Sequence, residues 1–232
     1  MDNIPYTDQI KALSKISKAI VSDLYLEDIL KLIVTVTAEV MGSNTCSLML
    51  LDEKTNKLVI RATQSVSEIY LIKPPLKIGE GIAGKVALEN KPMAVRDVTK
   101  EKEYRYKDIA KKEGLRSLVC VPLAVKNKVI GVLNCYTSKP HGFTSTEIDV
   151  LTSVANQAAV AIENTELMVK TRVIQEELES RKLIERAKGI LMQQDGISED
   201  EAYQTLRKFS MDHRKSMREI SEAIILARDL KK

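Results

Sequence analysis

The side chains of this sequence that could carry out covalent or metal chemistry are few and widely spaced. Its cysteines are Cys46, Cys120 and Cys135, and no two of them form a CxxC pair. This spacing excludes a disulfide framework and a zinc site built from several cysteines. The two histidines, His141 and His213, belong to no HExxH motif, and the sequence lacks a GxSxG nucleophile motif. We therefore predict no catalytic residue and no metal ligand.

The segment Gly79–Gly84 reads GEGIAG and matches the dinucleotide-binding pattern GxGxxG. A dinucleotide site requires a buried strand before the glycines, but the preceding residues, LIKPPLKI, contain two prolines that disfavour a central strand. We interpret the glycines as a tight loop that leads into a short helix over residues 82–89. No dinucleotide cofactor is predicted.

Each cysteine lies among the residues of a predicted strand, as in Val119-Cys120-Val121. Such a position is typical of a buried, inert thiol, and no neighbouring residue predicts an activated one. Cys135 is the cysteine best placed to face a pocket. We therefore keep Cys135 as a candidate ligand-binding residue.

The composition is that of an ordinary globular protein. Its 232 residues suffice for one large domain or two small ones, and hydrophobic and charged residues make up 44% and 29%. No apolar run approaches the roughly 18 residues that a membrane span requires, and the N-terminus lacks the pattern of a secretory signal. We therefore expect a cytoplasmic protein. The absence of Trp and the scarcity of Phe and Tyr argue against a base-stacking sheet.

The N-terminal part combines helical and strand patterns. Apolar residues at three- and four-residue steps predict two amphipathic helices, over residues 10–24 and 29–40. The segments CSLMLLD and LVIRAT predict one antiparallel hairpin, and SLVCVPLAV and VIGVLNCYT predict a second around residues 126–128. MAVRDV is a shorter strand candidate, and residues 101–113 form a polar helix candidate.

A long helix is predicted to begin after residue 143. Residues 143–148 have the spacing of a capping box with a flanking hydrophobic staple, and no Pro follows up to about residue 194. The middle of this run is charged but keeps Leu167, Ile174 and Leu178, although no clean heptad holds for three repeats. Both a two-stranded coiled coil and an isolated connecting helix agree with this pattern.

The last part of the chain, from residue 181 on, predicts three short helices. Gly196 suits the C′ position after the first, and the second and third begin with capping boxes at Ser198 and Ser216. Their expected apolar faces, in chain order, are Ile184/Ala187/Leu191, Ala202/Leu206/Phe209 and Ile220/Ala223/Ile224/Ala227. These faces predict a small three-helix bundle.

This bundle carries most of the net charge. Residues 181–232 hold 12 Lys and Arg against 9 Asp and Glu, a net +3 of the chain's +4. One aromatic, Tyr203, lies among cations that are expected opposite the apolar faces. That combination suits contacts to phosphates and to a stacked base, while a solvated basic face is the alternative.

The same tail resembles the ANTAR domain, the RNA-binding three-helix module of bacterial transcription antitermination regulators. The resemblance rests on RAKGILM at residues 186–192, on SEDEAY at 198–203 and on the close of the third helix at 220–225. It implies binding to stem-loops in nascent mRNA. The residues that we expect at the RNA surface are Arg186, Lys188, Tyr203, Arg207, Lys208, Arg214 and Lys215.

Residues from about 6 to 165 resemble a GAF domain, an antiparallel sheet flanked by helices. The supporting stretches include DLYLEDILKLIV, NTCSLMLLDEKTNKLVIRAT and GLRSLVCVPLAVKNKVIGVLNCYTSK. In the cyclic-nucleotide-binding subset an NK…FxxxDE motif recurs, but here Asn134 is followed by Cys135 and Glu147 by Ile148. The resemblance therefore does not imply cyclic nucleotide binding, and it leaves open an unidentified small-molecule ligand.

Together these patterns predict an α+β fold: a GAF sheet flanked by helices, a long connecting helix and a C-terminal three-helix bundle. We expect a GAF sensory domain at residues 1–165, a helical, coiled-coil linker at 166–180 and an ANTAR domain at 181–232. The expected function is a non-enzymatic, homodimeric antitermination regulator in which the GAF domain controls RNA binding. Two alternatives remain, a redox enzyme like the free methionine sulfoxide reductases and a protein–protein scaffold.

Overall fold

A computed structural model describes residues 14–15, 25–43, 45–64, 67, 70 and 72–230. The amphipathic helix predicted over residues 10–24 lies outside the described residues, apart from Ser14 and Lys15. The chain divides into two units, Met1–Glu166 and Leu167–Lys232. Among the described residues, no helix has an apolar stretch long enough to cross a membrane.

The N-terminal unit is built on one six-stranded sheet in which every neighbouring pair is antiparallel, with the order β3-β2-β1-β6-β5-β4. The elements are α1 (Leu26–Met41), β1 (Thr45–Asp52), β2 (Lys57–Thr63), β3 (Leu76–Lys77), α2 (Gly81–Glu89), β4 (Met93–Val95), α3 (Lys107–Lys112), β5 (Ser117–Val125) and β6 (Lys128–Thr137). This architecture confirms the predicted α+β class.

Both predicted hairpins are present. In the first, the Asp52 carboxylate accepts hydrogen bonds from the backbone N–H groups of Lys54 and Thr55, at 2.9 and 3.0 Å, and so fixes the turn. In the second, Lys126 and Asn127 both have positive φ, 48° and 66°, as a two-residue turn between antiparallel strands requires.

The polar helix predicted over residues 101–113 is shorter than expected and comprises only α3. The segment before it forms turns instead. Within it, Glu101 Oε1 accepts a hydrogen bond from Glu103 N at 3.3 Å. Such local side-chain bonds compete with helix formation.

The sheet has a separate apolar core on each face. Successive side chains of a strand point to opposite faces, so β6 contributes to both cores. Leu133 and Cys135 pack on the face covered by α1 and the start of the long helix, whereas Val132 and Tyr136 pack on the face covered by α2. A shift of one residue along β6 therefore moves a side chain from one core to the other.

The long helix, α4 (Ser145–Asp195), is continuous over 51 residues. Its predicted capping box is confirmed, because Thr144 N donates to Glu147 Oε2 at 2.7 Å and Glu147 N donates to Thr144 Oγ1 at 3.3 Å. The part of α4 up to Glu166 belongs to the N-terminal unit, where Leu151, Ala155 and Ile162 are buried against the sheet.

The C-terminal unit contains the end of α4, α5 (Glu199–His213) and α6 (Met217–Asp229). The capping boxes at Ser198 and Ser216 are both present, and Gly196 follows α4 with φ 66°. The first of the three predicted helices is thus the last part of α4. The core of the C-terminal unit consists of Ala187, Ile190, Leu191, Ala202, Leu206 and Ile225.

Two of the expected apolar faces need correction. Phe209 is 47% exposed rather than buried. On α6, Ala223 and Ala227 are exposed, whereas Ser221 and Ile225 are buried. Ser221 can occupy the core because its hydroxyl donates to Met217 O at 2.7 Å, which satisfies the polar group within the helix.

Candidate nucleic-acid interface and ligand cavity

Three of the predicted RNA-surface cations are exposed and uncompensated. Among the described residues, the side chains of Arg207, Lys208 and Arg214 make no ion pair and no hydrogen bond, and all three are exposed. Arg207 lies four residues after Tyr203 on α5, so the two share one helix face. Arg214 is the C-cap of α5, in the left-handed region at φ 52°. This end of α5 therefore presents positive charge to solvent.

Lys188 is placed differently from the sequence expectation. Only 7% of the residue is exposed, and its Nζ lies 2.9 Å from Glu185 Oε1 and 2.7 Å from Glu199 Oε1. The hydrogen bond to Glu199 is the main cause that raises the pKa of Lys188. Lys188 lies at the border of the core face of α4. Its ammonium joins α4 to α5 through Glu199, and both of its carboxylate contacts must break before it can bind a phosphate.

Arg186 and Lys215 are accessible but already paired. Arg186 Nη2 lies 3.3 Å from Asp229 Oδ2, which links the end of α6 to α4. Lys215 Nζ lies 2.9 Å from Glu219 Oε1, the acid of the α6 capping box. Both cations remain more than half exposed, so a phosphate has to compete with a carboxylate at each of them.

Two aromatic residues of α5, Tyr203 and Phe209, are exposed, although the sequence predicted Phe209 to be buried. Tyr203 is 44% exposed, as expected for a contact residue. Phe209 is also exposed, and its ring stacks on that of His213 with centroids 5.8 Å apart. Its spacing of three residues from Leu206 predicted a core position. Spacing along one helix does not show which of its residues the rest of the chain covers.

A cavity opens on the α2 side of the sheet in the N-terminal unit. Its lining residues are Ser47, Met49, Ile60, Tyr70, Lys73, Leu76, Gly81, Ile82, Ala83, Tyr104, Arg105, Tyr106, Leu118, Asn134 and Tyr136. Two tyrosine hydroxyls on its wall are hydrogen-bonded. Tyr70 OH donates to Ser47 Oγ at 2.9 Å, and Tyr104 OH donates to Tyr136 OH at 3.3 Å.

Lys73 reaches into this cavity. Its Nζ lies 3.4 Å from the ring centroid of Tyr70 and 5.5 Å from those of Tyr106 and Tyr136. Burial lowers the pKa of Lys73 to about 7, because the charged form loses its water there. The sequence analysis missed Lys73, which stands next to two prolines in a segment that was considered only as a poor candidate for a central strand.

Cys135 does not line the cavity. It is 1% exposed and lies on the opposite face of β6, where its Sγ is 2.9 Å from Cys46 Sγ. Its neighbours Asn134 and Tyr136 line the cavity instead. None of the three cysteines is among the lining residues that the structure describes, and all three are buried.

Comparison with known families assigns both units. The model of the GAF domain family matches residues 24–163, and that of the ANTAR domain family matches residues 172–225. The "Nitrate regulatory protein" of Klebsiella oxytoca is 44% identical over 57 residues, which are 25% of this chain and 14% of that protein. The "Transcriptional regulatory protein PdtaR" of Mycobacterium tuberculosis is 36% identical over 63 residues, 27% of this chain and 31% of that protein. The matched region thus covers less than a third of either relative.

Solved structures support the fold of the N-terminal unit. The GAF domain of a phosphoenolpyruvate-protein phosphotransferase from Coxiella burnetii has a TM-score of 0.63 at 24% identity, covering 71% of this chain and 98% of that chain. Free methionine-R-sulfoxide reductase from Neisseria meningitidis has a TM-score of 0.59 at 20% identity, with 69% and 91% covered. At these identities the likeness shows the fold alone.

Proposed function

We propose that this chain, which belongs to the GAF domain family and ends in an ANTAR domain, is a transcription antitermination regulator that binds stem-loops in nascent mRNA. The ANTAR match and the two regulatory relatives support a role in gene regulation. In this proposal residues 1–165 are the sensory domain, 166–180 are the linker and 181–232 bind RNA. Hairpin binding prevents a terminator from forming, so transcription continues.

The observation that carries the proposal is the uncompensated charge at the end of α5. Arg207, Lys208 and Arg214 have no carboxylate partner among the described residues, so a phosphate displaces no existing ion pair. Contacts to phosphates supply most of the affinity of such an interface. Tyr203 on the same helix offers a half-exposed ring for a base splayed out of a loop.

The proposed active form is a homodimer joined through the middle of α4. Leu167, Ile174 and Leu178 are each more than half exposed, at steps of seven and four residues along one face. A second copy of the same helix can cover these side chains as a coiled-coil partner. Two RNA-binding units in one dimer would engage two linked hairpins, and the second contact gains from a high effective concentration.

The sensory domain would act by changing which state of the dimer is populated. A small molecule shifts such an equilibrium only when it binds the two states with different affinity. The cavity on the α2 side of the sheet is the proposed place of that difference. No cysteine is among its lining residues in the described part of the chain, so the cavity does not favour the reductase alternative.

The experiment selects RNA from fragments of the host transcriptome with the full-length chain and tests the selected leader by gel shift and by transcription through its terminator. We expect the variant R207E/R214E to bind the leader at least tenfold more weakly and to lose read-through. The control R61E makes one such charge reversal at an exposed position of β2 and should bind normally. Unchanged binding by R207E/R214E would contradict the proposed interface.

A further inference from the structure

We propose that the cavity of the N-terminal unit binds a small hydroxycarboxylate, whose carboxylate lies between Lys73 and the N-terminus of α2. This inference rests on the sensory role proposed above and names the chemical class that the cavity would detect. Three features of the cavity lead to it: the sign of its charge, the orientation of a helix and one unpartnered polar atom.

The charge of the cavity is positive. Its charged lining residues are Lys73 and Arg105, and no Asp or Glu is among the lining residues that the structure describes. Arg105 pairs with Glu80 at 3.0 Å, whereas the Lys73 ammonium makes no ion pair with a described residue. The Glu113 carboxylate acts on Lys73 only as a nearby charge that raises its pKa. A largely buried cation without a counter-ion is unfavourable unless an anion joins it. An anionic ligand therefore gains more here than a cationic one.

The N-terminus of α2 adds a second positive feature. Gly81, Ile82 and Ala83 form the first turn of this nine-residue helix and line the cavity. The N-cap residue Glu80 makes no side-chain cap, and the first N–H groups of a helix have no partner within it. Such a helix end attracts anions through its free N–H groups and its dipole.

An independent observation, an unpartnered buried acceptor, points to a ligand with a polar hydrogen. Asn134 is 2% exposed and lines the cavity, and its Oδ1 has no hydrogen-bond partner among the described residues. A buried acceptor without a partner is costly, and a donor supplied by a ligand removes that cost. A hydroxyl group next to the carboxylate is such a donor. This feature distinguishes a hydroxy acid from a simple carboxylate.

The size of the cavity limits the ligand. Its enclosed space has room for roughly one water molecule. A two- or three-carbon acid therefore enters only when Lys73 swings off the face of the Tyr70 ring. Lys73 is flanked by the exposed residues Ile72 and Pro74, so its segment is accessible from solvent. In leaving the ring, the ammonium exchanges a cation–π contact for an ion pair.

The test titrates the full-length chain with sodium glycolate, acetate, phosphate and chloride at constant ionic strength and neutral pH, by calorimetry and by the shift of its Tm. We expect glycolate to bind more tightly than acetate and chloride to produce no shift. The variant K73M should weaken glycolate binding by about tenfold or more, since it removes a charge-assisted hydrogen bond. The control K77M removes an exposed lysine of β3 that does not line the cavity and should bind glycolate normally.

Two further arms keep the outcome decisive. The variant N134L should remove the preference for glycolate over acetate, and far-UV circular dichroism verifies that each variant is folded. Binding of phosphate alone, equal binding by K73M, or equal affinity of the native chain for glycolate and acetate would overturn the proposal. Loss of RNA binding by R207E/R214E is measured separately. Unchanged RNA binding by R207E/R214E therefore contradicts the RNA interface, whereas a lack of specific glycolate binding contradicts only the proposed ligand class.

Discussion

Lys188 Nζ lies 2.7 Å from Glu199 Oε1, and this contact joins the last turns of α4 to the first turn of α5. The same ammonium is 2.9 Å from Glu185 Oε1 on its own helix. A lysine that holds two carboxylates in a mostly buried position contributes to the fold of the C-terminal unit rather than to its contact surface. The residues that contact RNA are therefore expected among the cations that lack such partners.

The first prediction concerns the stability of this contact. The hydrogen bond from Lys188 lowers the pKa of Glu199 below its usual value of 4.5. A carboxyl with a lowered pKa in the folded state stabilises it above its unfolded pKa, and this stabilisation is lost as the pH falls through the folded pKa. We expect E199Q to lower the Tm at neutral pH, with a difference from the native chain that narrows below about pH 4. Thermal unfolding across this range measures it.

The control for E199Q is D200N, which removes the same charge from the same first turn of α5. Asp200 makes no ion pair among the described residues, so D200N reports the helix-dipole effect alone. An equal fall in Tm for both variants at neutral pH would contradict a specific role for the Lys188–Glu199 contact.

The second prediction separates structural from RNA-contacting lysines by salt dependence. We expect K208M to weaken binding to the selected leader and to reduce the slope of log K against log salt by about 1, as the loss of one phosphate contact does. K188M should leave that slope unchanged, because its ammonium lies between two carboxylates. Gel shifts over a salt series measure both slopes, and equal slopes for the two variants would contradict the assignment.

The sequence predicted the elements better than it predicted which side chains face outward. Capping boxes, turn residues and apolar periodicity are local signals, and they placed the hairpins, α4 and the start of α5 and α6 correctly. Burial depends on what the rest of the chain covers. Phe209 has core spacing but lies where no partner covers it, and Lys188 lies one residue from Ala187 on the edge of the core face. Neither outcome follows from spacing alone.

The residues of β6 that line the cavity could not be predicted from the sequence either. Cys135 was predicted to face a pocket, whereas the pleat of β6 directs Asn134 and Tyr136 toward the cavity. Alternation predicts that neighbours face opposite sides, but not which side carries a cavity. Lys73 could not be found from its sequence at all, since its burial comes from tyrosines more than 30 residues further along, Tyr106 and Tyr136, and from Tyr70.

The third prediction tests the dimer proposed through α4. We expect L167E/I174E to be monomeric by native mass spectrometry, because it places four like charges where two copies of the helix would meet. Val169 is 57% exposed on the same helix but lies two residues beyond Leu167, about 200° around the axis. The control V169E should remain dimeric. A monomeric native chain, or dissociation by V169E as well, would contradict a dimer through this face.

The fourth prediction concerns the pH dependence of stability that arises from Lys73. Burial lowers its pKa to about 7 in the folded chain, against an ordinary value of 10.5. Between these values the unfolded chain holds a proton that the folded chain lacks, so stability rises with pH over this window. We expect K73M to flatten the rise between pH 7 and 10, measured by denaturant midpoints. K77M should retain it.

The groups around Lys73 set the upper limit of this window. Glu113 acts against the lowering, and the nearby rings belong to Tyr70, Tyr106 and Tyr136. Burial raises the pKa of Tyr106 to about 12, so ionisation of the unfolded tyrosine above its ordinary value of 10 destabilises the fold. The rise due to Lys73 should therefore turn into a fall above about pH 10. A native profile that is flat from neutral pH upward would contradict a buried Lys73.

The fifth prediction concerns the reactivity of the thiols. Cys46 and Cys135 face each other across β1 and β6 with their sulfurs 2.9 Å apart, and both are fully enclosed by the core on the α1 side of the sheet. Burial raises the pKa of Cys135 well above its usual value, and it also raises that of Cys120 in the other core. Since the thiolate is the reactive form, we expect none of the three to react with iodoacetamide in the folded chain and all three to react in denaturant.

Mass spectrometry counts the adducts, and C120A serves as the control that lowers the denatured count by one. Rapid modification of Cys135 in the folded chain would show that this core opens, and would return that thiol to consideration as a ligand or redox group.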